Sequence, residues 1–385
     1  MTVRVFFFVQ NLLGIGHVVR AARLARAMCD KGIEVTVASG GVPVEGLDFS
    51  PAHVVQLPPL KAGPGGFSDL RLADGAPLDD HHRDLRRDAL LAAFASSNAD
   101  ILLIEAFPFG RRGQRFELLP LLAAARQRQN NVLIVSSVRD ILQGGRSPAR
   151  RQEMLDLVHS SFDLVLIHGD GAVTPFDQSF PEADDIRDKL AYTGLVGPEA
   201  VPLEDIPSHD VIVAAGGGSV GGALLETAIA ARAMSCMKDA RWLVVAGPYL
   251  PGDVFARLDA SCRTQNIDLV RFVGDLPQRY ARAQLAISQA GYNTVADVLT
   301  AGCRSVLVPF TAAGESEQNE RAQSLARRGL ANLLDPEKLT SAALADVIDK
   351  TMRQPHGAQR IVLNGAARTA EILLEALVAQ RARPR

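Results

Sequence analysis

The chain has 385 residues, 47% of them apolar, with 41 basic and 43 acidic side chains for a formal net charge of −2. That length supports two to three domains, each with its own core, and so even a balance of charge excludes a global field drawing the protein to nucleic acid or to an anionic membrane. Cys29, Cys236, Cys262 and Cys303 show no C-x-x-C pair and no histidine at zinc-ligand spacing, so they read as buried thiols of a reducing compartment and not as a metal or disulfide framework.

Along the chain, Val5-Phe6-Phe7-Phe8-Val9 is too short for a signal-peptide core or a membrane span and is ended by Gln10-Asn11, so it reads as a buried first strand. No other run approaches the length of a bilayer crossing. The expected location is the cytoplasm, with peripheral membrane contact left open. Further short apolar runs at 34–38, 54–57, 101–105, 132–138 and 164–168 alternate with helical patterns such as 18–30 and 116–129. Such alternation implies βαβ units and a parallel sheet. The segment 61–84, rich in Gly, Pro and Asp, has no clear pattern and reads as a surface excursion or a lid.

After Tyr192-Thr193-Gly194-Leu195-Val196-Gly197-Pro198 a Pro- and acid-rich stretch reads as a linker, and a second series of strands follows at 211–215, 242–246, 269–272, 285–288, 305–309 and 331–333. The expected fold class is therefore α/β, with two doubly wound Rossmann-like domains facing a cleft. The domains are 1–195 and 210–365, joined by a linker at 196–209, with a last helical segment at 366–385. No internal repeat of 20–50 residues is present, and nothing in the sequence specifies an oligomeric state.

Three constellations carry chemistry. Gly14-Ile15-Gly16-His17-Val18-Val19-Arg20 follows the first strand and opens a helix, which puts His17 at the carboxyl edge of the sheet, where open α/β sheets bind ligands. A helix N-terminus keeps an imidazole neutral and able to accept a proton; the plainer reading is a histidine that caps or packs. Gly216-Gly217-Gly218-Ser219-Val220-Gly221-Gly222 formally satisfies G-x-G-x-x-G, yet the next strand ends Ala246-Gly247-Pro248 with no acid for an adenosine ribose, and no Gly-Lys-Ser/Thr follows. NAD, FAD and a P-loop are thereby disfavoured, no cofactor is expected, and Gly217, Gly218 and Ser219 remain able to cradle a phosphate. In the third, Gln289-Ala290-Gly291-Tyr292-Asn293-Thr294-Val295-Ala296-Asp297, Gly291 permits a turn and Asn293 and Thr294 are able to cap a helix whose amides face an anion. Asp297 suits the two hydroxyls of a ribose, and the Gln318 amide suits a sugar ring. An ordinary capped helix is the alternative.

Taken together, these residues resemble the glycosyltransferases of the GT-B fold, and within them the branch that holds the bacterial cell-wall N-acetylglucosaminyltransferases forming lipid II. The resemblance covers most of the chain and is strongest from 271 to 330, where Phe272-Val273-Gly274-Asp275-Leu276, the Gly291–Asp297 turn and the Gln318 region occur in the family's order. It implies a nucleotide-sugar donor, UDP-linked, with the Val273 backbone reading uracil and Leu276 packed nearby. Asn293 and Thr294 are then placed on the diphosphate, Asp297 on the ribose and Gln318 on the sugar. It also implies donor contacts at Gly14, Gly16, Gly217, Gly218 and Ser219, and that His17 is the histidine closing the first glycine loop. The last helix, 366–382, is implied to cross back to the first domain.

Leu12 and Leu13 stand where the cell-wall enzyme leads its first loop with glycines, and Gly197-Pro198 where it carries a phosphate-binding arginine, so a lipid-linked acceptor does not carry over. Two other segments, Glu105-Ala106-Phe107-Pro108-Phe109-Gly110-Arg111-Arg112 and Ser137-Val138-Arg139-Asp140, look more like a branch of predicted bacterial glycosyltransferases. Both follow strands of the first domain, where Glu105 or Asp140 is placed to orient His17 and Arg111, Arg112 or Arg139 to hold an acidic acceptor group; a solvated basic face is the alternative for the arginines.

The expected mechanism is displacement at the anomeric carbon, with His17 as base toward an acceptor hydroxyl and helix N-termini stabilising the departing nucleoside diphosphate. No metal is required: there is no Asp-x-Asp motif, and Asp79-Asp80 and Asp184-Asp185 read as solvated pairs. An epimerase or hydrolase of the same fold would use the same donor pocket and release nucleotide without an acceptor. A non-catalytic subunit would bind donor with His17 idle.

Overall fold

The structure, a computed structural model, describes residues 2–12, 14–199, 207–216, 220–312, 315–355 and 361–382. The chain divides into two compact units, the first made of residues 1–196 with 364–385 and the second of 197–363.

The first unit holds β1 (Arg4–Val9), α1 (Gly16–Asp30), β2 (Glu34–Gly41), β3 (His53–Gly63), β4 (Gly66–Leu72), α2 (Asp80–Ser97), β5 (Ile101–Glu105), α3 (Arg115–Arg126), β6 (Leu133–Arg139), α4 (Pro148–Ser161), β7 (Leu164–His168) and β8 (Leu190–Tyr192). Their sheet order is β4-β3-β2-β1-β5-β6-β7-β8, parallel throughout except for the antiparallel β3/β4 hairpin. A central parallel strand has helices on both faces and must be apolar on both. Phe6, Phe7, Phe8 and Val9 of β1 and Ile101 through Ile104 of β5 meet that demand, all buried, with Phe6 edge-on to Phe94 of α2 at 5.4 Å.

The second unit holds β9 (Val211–Ala214), α5 (Gly222–Arg232), β10 (Trp242–Val245), α6 (Gly252–Gln265), β11 (Asp268–Val270), α7 (Leu276–Arg282), β12 (Leu285–Ser288), α8 (Tyr292–Thr300), β13 (Arg304–Leu307), α9 (Glu317–Arg327), β14 (Asn332–Leu333) and α10 (Ser341–Arg353). The sheet runs β11-β10-β9-β12-β13-β14, all parallel, which is the 3-2-1-4-5-6 order of a doubly wound dinucleotide fold. Trp242, buried with Leu225, Ile229, Leu344 and Ile348, donates its indole N–H to the Met237 carbonyl at 2.9 Å, so the largest side chain of this core leaves no polar atom unmet. The last helix, α11 (Gly365–Ala382), belongs to the first unit, where Glu371 meets Lys31 of α1 at 3.2 Å.

The 61–84 segment is not an excursion. β3 continues to Gly63, and β4 turns back on it with Leu60 opposite Leu72 and Asp69 bonded to Arg71 at 2.7 Å. The alternation is only four residues long, Asp69, Leu70, Arg71, Leu72, and lies just after the Gly63–Gly66 turn, too short to stand out. Asp79, expected to be merely solvated, caps α2 by accepting from the His82 amide at 2.8 Å. All four cysteines are free, but only Cys262 and Cys303 are buried; Cys29 is partly covered and Cys236 exposed. Among the described residues no helix is long and apolar enough to cross a membrane.

Candidate active site

In both sheets the strand order reverses beside the first strand, at β1/β5 and at β9/β12, and ligands of open α/β sheets bind beyond the carboxyl ends of the strands at such points. At β1/β5 the chain leaves β1 through Gln10-Asn11 and makes a turn in which Gly14 takes φ 69°, a value that glycine reaches without strain. α1 then begins at Gly16 and carries His17. Gln10 is buried and braced on three sides. Its amide donates to the Asn11 and Leu60 carbonyls, and its side-chain oxygen accepts from the buried Arg86, itself paired with Glu117 at 2.7 Å.

Glu105, the last residue of β5, is wholly buried and meets His17, Arg20 and Ser137. One oxygen faces His17 Nδ1 at 2.9 Å and the guanidinium of Arg20; the other accepts from Ser137 Oγ at 2.7 Å. The parallel register makes this inevitable, because Glu105 pairs directly with Ser137 on β6. Ser137 Oγ also lies 2.9 Å from His168 Nε2, whose Nδ1 is 3.0 Å from Thr193 Oγ1. Burial alone would raise the Glu105 carboxyl, but the Arg20 charge and the hydrogen bonds from His17 and Ser137 hold it well below the usual carboxylate range. An ionised carboxylate only accepts, so His17 carries its proton on Nδ1 and keeps Nε2 as the lone-pair nitrogen. Burial foremost, then the charges of Arg111 and Arg139, push the imidazole down to about 3 against the pull of Glu105. His17 is neutral at pH 7.

His17 and Glu105 line a cavity of about 650 Å³ whose walls include Leu12, Phe67, Leu70 and Phe109. All three arginines expected on the acceptor side reach it. Arg111 donates to the Gln10 carbonyl at 2.6 Å, and burial, with the charges of Arg139 and Arg20, lowers it to about 10. Arg111 and Ala106 hold φ of 60° and 66°, conformations that cost an L-residue about 1 kcal/mol or more and that cluster at ligand sites. Arg112 is 60% exposed in its side chain and meets Glu153 at 3.5 Å. Asp140, also buried, accepts from the Ile141 amide at 3.0 Å and packs against Gly169, while the carboxylate bonded to His17 is Glu105. Sequence reasoning missed Arg20, Ser137, His168, Arg146 and Arg150. Only Arg20 left a signal, three residues after His17 on a helix and so on the same face.

At β9/β12 the site is built mostly of backbone. Gly216 and Gly221 flank the first turn with φ 77° and 134°; Gly217, Gly218 and Ser219 lie outside the described residues. α8 opens with Gly291 as its N-cap and without a side-chain cap, so Asn293 and Thr294 sit inside the first turn and do not cap it as expected. The first ladder bond is Val295 N–H to Gly291 C=O at 3.0 Å, which leaves the amides of residues 292–294 outside the helix's own ladder, at its positive end.

Gln318 is tied into this turn: its side-chain oxygen accepts from the Ala290 amide at 3.1 Å and the Phe310 amide at 3.2 Å. Two N–H neighbours fix the oxygen on that side, so only the amide N–H pair is left to offer a sugar. The buried Arg321 completes the brace by donating to the Ala290 carbonyl at 3.0 Å and pairing with Glu317 at 2.8 Å. Asp297, one turn into α8, is 8% exposed and close to the buried Tyr280 phenol, whose proton burial first and the Asp297 charge second hold far above its usual range. Val273 and Leu276 pack beside Tyr280 and Val298. Phe272 and Tyr249, on the loops after β11 and β10, are exposed aromatics. Among the described residues no three His, Cys, Asp or Glu side chains come together as metal ligands.

Residues 212–370 match the glycosyltransferase family 28 C-terminal domain. Curated relatives include the UDP-N-acetylglucosamine–N-acetylmuramyl-(pentapeptide) pyrophosphoryl-undecaprenol N-acetylglucosamine transferase of Herminiimonas arsenicoxydans, 29% identical over 214 residues that make up 51% of this chain and 59% of that protein. The enzyme of the same name from Solibacter usitatus is 33% identical over 112 residues, 28% of this chain and 31% of that one. The alignments thus span 31% to 59% of these relatives' length. Among solved structures, a calicheamicin glycosyltransferase superposes with TM-score 0.60 at 17% identity over 100% of both chains. MurG of Acinetobacter baumannii gives 0.59 at 16% identity over 97% of this chain and 99% of its own. The fold is that of the GT-B glycosyltransferases, and the match to the family 28 C-terminal domain covers most of the second unit.

Proposed function

We propose that the protein is a glycosyltransferase that moves a sugar from a UDP-linked donor to an acceptor hydroxyl, with His17 as the general base. The observation that carries this reading is the Nδ1 hydrogen bond from His17 to a buried carboxylate on the wall of a cavity. Glu105 fixes the tautomer and stabilises the imidazolium that forms as Nε2 takes the acceptor proton. The second unit supplies the donor site. The α8 N-terminus, with Asn293 and Thr294 in its first turn, meets the diphosphate and absorbs the charge that builds as it leaves. Gln318 turns its amide N–H pair to the sugar, Asp297 the edge of its carboxylate to the ribose, and the exposed Phe272 lies next to Val273, whose backbone reads the base. The UDP assignment leans on the relatives, whose names specify UDP-N-acetylglucosamine. Charge on the leaving group is met by helix amides and loop backbone, a scheme that needs no metal ion. The setting that fits these features is the cytoplasm.

The test is product formation. Wild type and His17→Ala are incubated with UDP-N-acetylglucosamine and a polar small-molecule extract, and products heavier by one sugar are sought by mass spectrometry. Sugar-bearing products formed by the wild type alone support the reading. UDP release that is the same with and without extract identifies a hydrolase and sinks it.

A further inference from the structure

Five arginines, 111, 112, 139, 146 and 150, line the His17 cavity, and Glu105 is the one carboxylate among its lining residues. That carboxylate is already bonded to Arg20, His17 and Ser137. Arg112 is drawn off to Glu153. What remains is an excess of positive charge in a partly apolar hollow. Arg146 is lowered to about 10 by burial and by the charges of Arg150 and Arg139, just as Arg111 is lowered by burial and by Arg139. The terminal nitrogens of Arg146 bond to the Gln143 and Phe109 carbonyls, and those carbonyls carry no formal charge to offset it. The wall formed by Arg111, Arg146 and Arg150 thus gathers guanidinium charge that the one lining carboxylate, already engaged, does not offset.

We propose that this wall is a phosphate-monoester subsite: Arg111, Arg146 and Arg150 grip the dianionic phosphate of an amphiphilic acceptor whose hydroxyl is presented to His17. The proposal rests on the transferase reading for the role of His17, and on the cavity alone for the phosphate. A carboxylate brings one charge and two oxygens against three guanidinia. A phosphate monoester brings close to two charges and three strong acceptor oxygens, a better match to the fork geometry of arginine. Leu12, Phe67, Leu70 and Phe109 supply apolar contact for the organic body.

The experiment is calorimetric titration of the full chain with phenyl phosphate and with benzoate, each at pH 5 and pH 7, and of an Arg146→Gln/Arg150→Gln variant. Phosphatidylcholine vesicles with and without phosphatidic acid are sedimented in parallel. The expected result is at least tenfold tighter binding of phenyl phosphate than of benzoate. That affinity rises from pH 5 to pH 7 as the phosphate loses its second proton near pH 6, while the arginines stay charged, His17 neutral and Glu105 ionised. In the variant, the affinity falls at least tenfold. Should the variant not fold, the charge series on the wild type still decides. Binding confined to phosphatidic acid vesicles and lost in the variant also supports the subsite and assigns its phosphate to a lipid. Equal binding of phenyl phosphate and benzoate, with no variant-sensitive vesicle binding, overturns it. UDP binding, measured on the same preparations, separates the two claims. Its absence sinks the transferase reading and leaves the subsite standing, whereas normal UDP binding without phosphate discrimination sinks the subsite alone.

Discussion

At the β1/β5 switch point the groups that line the site are side chains: an imidazole, a carboxylate bonded behind it, a row of guanidinia. At the β9/β12 switch point they are mainly backbone amides, with the Gln318 and Arg321 side chains spent on holding the turn in shape. The same topology therefore supports two kinds of chemistry. A side-chain site is tuned by its neighbours, as Arg20, Ser137 and Arg111 tune His17 and Glu105. A backbone site is tuned by where the helix starts. Proton transfer needs the first kind, and binding a diphosphate needs the second.

The contrast breaks most visibly at His17. His17→Ala is expected to lower the turnover rate by about 10²–10⁴-fold, the usual worth of a positioned base, with donor affinity unchanged in the same titrations. Glu105→Gln removes the charge of the buried partner that Arg20, His17 and Ser137 share, and breaking one half of a buried pair costs up to about 3–5 kcal/mol. Urea denaturation reads that loss, and a variant as stable as wild type would show that Arg20 has another anchor.

The second unit has its own test in Gln318→Leu, which leaves the Ala290 and Phe310 amides without their acceptor. Each is expected to cost about 1–3 kcal/mol, seen as a lower denaturation midpoint and a higher KM for donor, with the pH profile of turnover unmoved.

A subtler difference is acid sensitivity. His17 and His168, both of the first unit, are held neutral with values lowered to about 3. Between that value and the ordinary 6.5 the unfolded chain binds protons that the folded one does not, so stability falls as pH drops through this window and is unaffected above it. Denaturation midpoints at pH 7.5 and 4.5 measure the slope, and His17→Asn is expected to flatten it. When an anion held by Arg111, Arg146 and Arg150 offsets the Arg111 charge, one of the influences holding His17 down is weakened, and its titration in NMR is expected to move upward.

Much of the framework could be read from residue types alone. Strands such as Ile101–Glu105 and Trp242–Val245 contain continuous apolar runs that begin after a charged residue and end at Glu105 or at Gly247-Pro248, and burial on both faces demands that pattern. β4 escaped notice because only its last four residues, 69–72, alternate, behind a glycine-rich turn. His17 and Glu105 stood out because each ends or follows a strand at a place the topology reserves for ligands. Ser137 and His168 did not, since their importance lies in strand register, which pairs Glu105 with Ser137 and Arg139 with His168 across sequence gaps of about 30 residues. Arg146 and Arg150 were no more distinctive than the other arginines of the chain until the loop after β6 folded them onto the cavity. The caps expected from Asn293 and Thr294 fell to Gly291, because the backbone turn places the helix start earlier.

The most direct test of the account is a calorimetric titration of UDP, GDP, ADP and dTDP into wild type, Asp297→Ala and His17→Ala. The account predicts selective binding of UDP to the wild type, at least tenfold weaker binding to Asp297→Ala, and unchanged binding to His17→Ala. Failure to bind any nucleotide, or UDP binding that ignores Asp297 and is lost with His17, would contradict the assignment of donor to the second unit and base to the first.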